Sequence, residues 1–188
     1  MSAYLVLLFA VLSRVLPHAF HTTSVGFTAV GGSLLFFGAR TGRNKALWQI
    51  VFAVLALMAT DYYLTVYAYG FPFHASAYVT TWIWYAAICL LGAGLLADKV
   101  TGLRVATGIF ASATSFFLLS NFMVWVGGGL YAKTAAGLGA CYVAAIPFYA
   151  NDVMSTAITV GALFGLPALA RNIAKTIRSA QDSGSPLA

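Results

Sequence analysis

The sequence has very little charge. Only 7% of its 188 residues are Asp, Glu, Lys or Arg, and the acidic set is four aspartates with no glutamate. An ordinary soluble domain carries about 25% charged residues. Fourteen charges cannot clothe the surface of a soluble chain of this length, which excludes a soluble enzyme and a charge-rich disordered chain. Cysteine is scarce too. Cys89 and Cys141 are too few for a disulfide framework, and neither has metal-ligand spacing. Walker A sequences, nucleophile elbows, HExxH motifs and paired carboxylates are all missing. Gly137 and Gly139 form a bare GxG without the context of a nucleotide motif. The net charge of +6 does not point to nucleic acid, because the basic residues are scattered at the ends of apolar runs rather than clustered.

What the sequence has instead is hydrophobic length. Apolar residues make up 61% of the chain and aromatic residues 15%. A helix needs roughly 20 apolar residues to cross a bilayer. Six runs are read as spans: 2–16, 25–39, 46–69, 77–97, 105–126 and 153–170. The stretch 134–149 is also apolar, but Pro147 and nearby glycines weaken it. It is expected to be an extra outer helical segment lying at the interface or dipping into the bundle. The fold class expected is therefore all-α: a polytopic membrane helix bundle, with one domain over 1–170 and a tail over 171–188. The first run lacks the basic start and the small-residue cleavage site of a signal peptide.

The basic residues orient this bundle. Alternating loops place Arg40, Arg43, Lys45, Lys99, Arg104, Arg171, Lys175 and Arg178 on one side and only Lys133 on the other. Positive charge marks cytoplasmic loops, so both termini are expected in the cytoplasm.

Polar groups gather at the opposite end. Asp61 lies fifteen residues into the third span and Asn121 sixteen residues into the fifth, about 22 Å and about 24 Å up at 1.5 Å per residue. Arg14 sits near the outer end of the first span. An ionisable group inside a span usually faces the bundle interior. Arg14 and Asp61 are thus expected to form an ion pair, to line a ligand cavity, or both. Tyr78, Trp82 and Tyr85 share one helical face, and Asn121 and Trp125 share another. Tyr62, Tyr69 and Trp84 are read as an interfacial aromatic belt. His18, His21 and His74 fall in the outer loops, as do Asn151 and Asp152. His74 is a candidate ligand-binding residue, while His18, His21 and Asn151 are assigned to lid loops. The histidines with Asp152 are the residues best suited to a metal, but no motif supports a metal site. No cofactor is assigned. Gly31, Gly32, Ser33 and Gly38 suggest close helix packing in the second span.

The run from Ser120 to Trp125, the segment from Tyr131 to Leu138 and the run from Cys141 to Asn151 resemble a family of uncharacterised bacterial membrane proteins. Arg14 to His18, Ala29 to Gly38 and Asp61 fit the same family. In layout that family is similar to the substrate-binding S-components of energy-coupling factor transporters, the solitary cobalamin-type ones most of all. The resemblance implies six helices in a bacterial inner membrane and an outward-facing pocket for a vitamin-like ligand, with a cobalamin among the candidates. It also implies an energising transport module as partner, beside the lipid bilayer and the small-molecule ligand. The first span lacks the Ala-x-x-x-Ala spacing that such modules use for docking. Arg14, Asp61, His74, Tyr78, Trp82, Asn121 and Trp125 are the expected ligand-binding residues. The alternatives are a small membrane enzyme using His74 and Asp61, or a structural subunit without a ligand.

Overall fold

The computed structural model describes residues 2–19, 28–41 and 46–183. All regular structure among them is helical. In chain order the helices are α1 (Ser2–Ala19), α2 (Val30–Thr41), α3 (Ala46–Tyr63), α4 (Val79–Leu96), α5 (Gly102–Gly127), α6 (Ala135–Val160) and α7 (Leu166–Ser183). Four of the continuous helical stretches are long and apolar enough to cross a membrane: 48–68, 79–96, 102–127 and 135–179. The helix over 3–18 is apolar but shorter.

The third, fourth and fifth spans fall close to their expected bounds. The region beyond residue 134 does not. The expected interfacial segment 134–149 and the expected span 153–170 are parts of one unbroken helical stretch. α6 runs through Pro147 and passes into α7 by a π-helical turn at Gly161–Gly165. A proline inside a helix removes one hydrogen bond, but packing against neighbouring helices lets membrane helices tolerate this. Pro17 is likewise inside α1, which continues to Ala19. The helix also crosses residue 170 without interruption, so no break separates the expected domain from its tail.

α2 is the centre of the bundle. Every residue from Val30 to Ala39 is buried, so this helix is covered on all sides by its neighbours. Its closest partner is α4. A Cβ on Gly38 would lie 1.9 Å from the carbonyl oxygen of Cys89, and one on Gly92 would lie 2.2 Å from that of Leu35. Only hydrogen fits at these crossings, as the small-residue pattern in α2 suggested. Phe37, Leu34, Leu35, Leu57 and Ile88 fill the space around them.

The ends of the helices are closed locally. Thr101 accepts from the Arg104 amide and Thr134 from the Gly137 amide, each capping a helix start. Lys133 closes the end of α5. Its ammonium meets the carbonyls of Trp125, Val126 and Gly128 and lies over the Trp125 ring. A cation at a helix C-terminus satisfies the last carbonyls and the negative end of the dipole.

Candidate functional site

Two polar regions occupy the end of the bundle where α3 and α5 finish. The first joins α1, α3 and α4. Arg14 reaches from the last turns of α1 to Asp61, with Nη2 2.5 Å from Oδ1. Its Nη1 donates to Thr60 Oγ1 at 2.6 Å and to the Tyr85 hydroxyl at 3.1 Å. The other carboxylate oxygen of Asp61 accepts from Trp82 Nε1 at 2.9 Å, and the Tyr85 hydroxyl lies 3.3 Å from Oδ1. The Asp61 side chain is 1% exposed. Burying an ion pair is costly unless further hydrogen bonds complete it, and here both oxygens of the carboxylate are bonded.

The backbone around Asp61 is shaped to match. Just after α3 the chain makes a π-helical turn over Leu64–Ala68. Thr65 donates back to the Asp61 carbonyl at 2.6 Å and also bonds the Tyr78 hydroxyl at 2.6 Å. Gly70 then takes φ +69°, a conformation that favours glycine. Phe73, Tyr78 and Trp82 stack over this turn, with Phe73 and Tyr78 ring centroids 5.2 Å apart at 14°. The result is a closed network with aromatic cover.

The second region lies between α4, α5 and α6, and it is open. A cleft of about 460 Å³ runs between the start of α4 and the end of α5. Thr80, Thr81, Trp84, Phe116, Ser120 and Met123 line it. A cavity of about 180 Å³ adjoins it between α5 and α6, sharing Phe116 and Ser120. Thr28, Asn121, Tyr149, Asn151 and Asp152 line that cavity. Among the described residues, the Asp152 carboxylate makes no hydrogen bond or ion pair. One turn further into the bundle, Ser112 and Thr156 are fully buried and their hydroxyls have no hydrogen-bond partner among the described residues. They come within 2.8 and 3.0 Å of the position a Cβ on Gly31 would take. Polar side chains thus continue inward from Asp152.

The expected site residues divide between these regions. Arg14, Asp61, Tyr78 and Trp82 meet in the closed network. Asn121 lines the smaller cavity and donates to the Phe117 carbonyl at 2.8 Å. Trp125 lines neither space; its Nε1 donates to Ala132, bracing the loop that joins α5 to α6. His74 is exposed in the loop before α4, not at either cleft.

The lid-loop assignments change. Asn151 is not in a loop but inside α6, because the helix begins at Ala135 rather than near 153. His18 is in the last turn of α1 and bonds the Tyr69 hydroxyl at 2.9 Å. His21 lies outside the described residues. Trp84, read as part of the interfacial belt, is buried instead. It faces α5, donating to Ser115 at 2.9 Å and lining the larger cleft. Thr81, Trp84 and Ile88 follow an i, i+3, i+7 spacing that marks this inward face. Thr60 and Thr65 carried no such signal, since a threonine in an apolar span equally bonds its own helix.

Fold and site define a helical membrane protein with one internally paired carboxylate and a second one facing an open cavity. Residues 1–178 match a family of unknown function, DUF6580, and the chain belongs to that family. No curated protein and no solved structure matches the chain.

Proposed function

We propose that this protein binds a small organic molecule within the membrane, in the cleft between α4 and α5 and the cavity beside it. The observation that carries this reading is the Asp152 carboxylate, unpaired among the described residues, in a cavity that shares Phe116 and Ser120 with a cleft of about 460 Å³. Ligand sites are commonly about 300–1,000 Å³. An ionisable group inside a membrane helix marks a functional site by default. The ligand presents a hydrogen-bond donor or a positive charge to Asp152. Trp84 and Phe116 offer aromatic faces to its apolar part. The hydroxyls of Thr80, Thr81 and Ser120 orient it. Arg14 is not free to hold a substrate anion, since its guanidinium is spent on Asp61, Thr60 and Tyr85. The network around it serves as a rigid frame for α4.

This reading includes uptake from the extracytoplasmic side, in the manner of an S-component, by a six-span protein of a bacterial inner membrane with both termini cytoplasmic. The charge distribution supports that orientation, with Arg40, Lys99, Arg104 and Arg171 at one end of the bundle and Lys133 at the other. No described histidine lines either space, which favours a vitamin-like ligand without metal coordination over a cobalamin. The chain has no ATPase motif, so active uptake requires an energising partner or an ion gradient.

Native mass spectrometry of the detergent-purified protein tests the site. The wild type is expected to carry a small-molecule adduct, and Ser120→Phe, which puts bulk on the wall the two spaces share, is expected to lose it. An adduct that survives Ser120→Phe places the ligand elsewhere. Purified protein with no adduct in any preparation favours a structural subunit.

A further inference from the structure

The opposite end of the bundle carries a second, basic cleft. Arg40 in the last turn of α2 and Arg171 in α7 line a space of about 230 Å³ together with Leu96, Ala97, Phe164 and Ala168. The Arg40 guanidinium lies 5.1 Å from the centre of the Phe36 ring, and Phe36 packs edge-on against Phe164 at 5.0 Å. This aromatic wall holds the cation at the cleft. Among the described residues the one ion pair is Arg14–Asp61, so neither Arg40 nor Arg171 has a carboxylate partner. Asp98, on the adjoining loop, is exposed and forms no ion pair. Two guanidiniums that line one space, with no carboxylate partner among the described residues, suit a phosphate in chemistry.

The depth of the cleft and the pattern of α7 indicate where that phosphate comes from. α2 ends at Thr41, α4 ends at Leu96, and α6 passes into α7 at Gly161–Gly165. The cleft is therefore at the level where α2 and the membrane-capable α4 end, beside the junction of α6 and α7, a level suited to headgroups. Leu166, Leu169, Ile173 and Ile177 form one exposed stripe along α7. Arg171, Lys175 and Arg178 occupy the opposite face at i, i+4, i+7. Because Ala168 and Arg171 line the cleft, the cationic face turns toward it and the aliphatic stripe turns away. A helix with cations on one face and aliphatic residues on the other suits the boundary between headgroups and acyl chains.

We propose that the cleft between Arg40 and Arg171 binds the phosphate of an anionic phospholipid, with the cationic face of α7 beside it. The full-length protein in detergent is titrated with phosphatidylglycerol or with phosphatidylcholine of the same acyl chains, and bound lipid is read by native mass spectrometry. The wild type is expected to retain phosphatidylglycerol in preference. Arg171→Gln is expected to weaken that preference by about fivefold, and adding Arg40→Gln by about fivefold again. Arg171→Gln leaves the stacking of Arg40 on Phe36 intact, so it remains informative if the double variant does not fold. Arg171→Lys, which keeps the charge but loses the fork, is expected to fall between wild type and Arg171→Gln. Equal retention of the two lipids by the wild type overturns the proposal, as does an Arg171→Gln variant that binds like the wild type. Displacement of phosphatidylglycerol by millimolar inorganic phosphate overturns the lipid as the source of the phosphate.

Discussion

Two aspartates lie inside the helical bundle, and their surroundings are opposite. Asp61, on α3, is held by groups from α1 and α4, with both carboxylate oxygens bonded and its side chain 1% exposed. Asp152 is half-buried beside a cavity, and among the described residues its carboxylate has no partner. A buried charge is tolerated when neighbours replace the water it has lost. Asp61 meets that condition within the protein. Asp152 meets it through water or a ligand in the cavity, or avoids the charge by holding a proton. On the proposed reading, the difference separates a residue kept for architecture from one kept for binding.

The comparison breaks most readily at the ion pair. Arg14→Met leaves the Asp61 charge buried without its main partner and is expected to cost about 3–5 kcal/mol, read by unfolding in detergent. The double variant Arg14→Met with Asp61→Leu is expected to recover most of that loss, since an apolar pair of similar volume is often nearly neutral. A double variant no better than the single one means that the network does more than balance charge.

Next in size is the crossing of α2 and α4. Gly38→Ala places a methyl group against the Cys89 carbonyl, so the helices must separate, at a cost of about 1–3 kcal/mol. Unchanged stability in that variant contradicts the close approach. Smaller effects sharpen the contrast between the frame and the cleft. Thr65→Val loses the bonds to Asp61 and Tyr78 and is expected to cost about 1 kcal/mol in the same unfolding assay. Thr80→Val, on the open side, is expected to stay within about 0.5 kcal/mol while reducing retention of the adduct.

The ion pair was legible from sequence because it needed only two numbers: the helical rise and the distance of each charge from its span's end. Arg14 and Asp61 were the ionisable residues deep in apolar runs, at matching height. Close packing of α2 was legible from Gly31, Gly32 and Gly38 for a similar reason, since small residues in a span have few other uses. The open site was not legible, because its location depends on α6. Pro147 and the polar pair Asn151–Asp152 have the look of a loop, yet the helix runs through all three. With that helix cut in two, Asp152 was placed in water and Asn151 in a lid. Trp84 was misplaced for another reason: tryptophan near a span end fits a headgroup belt as well as a helix contact, and only the position of α5 decides between them.

The most direct measurement sets Asp61→Asn beside Asp152→Asn in the same detergent and the same unfolding assay. Asp61→Asn is expected to lose about 3–5 kcal/mol, because it strands Arg14 in the bundle. Asp152→Asn is expected to remain within about 0.5 kcal/mol of the wild type, because among the described residues no group is bonded to its carboxylate. Equal losses in the two variants, or a larger loss for Asp152→Asn, would contradict the division between frame and site.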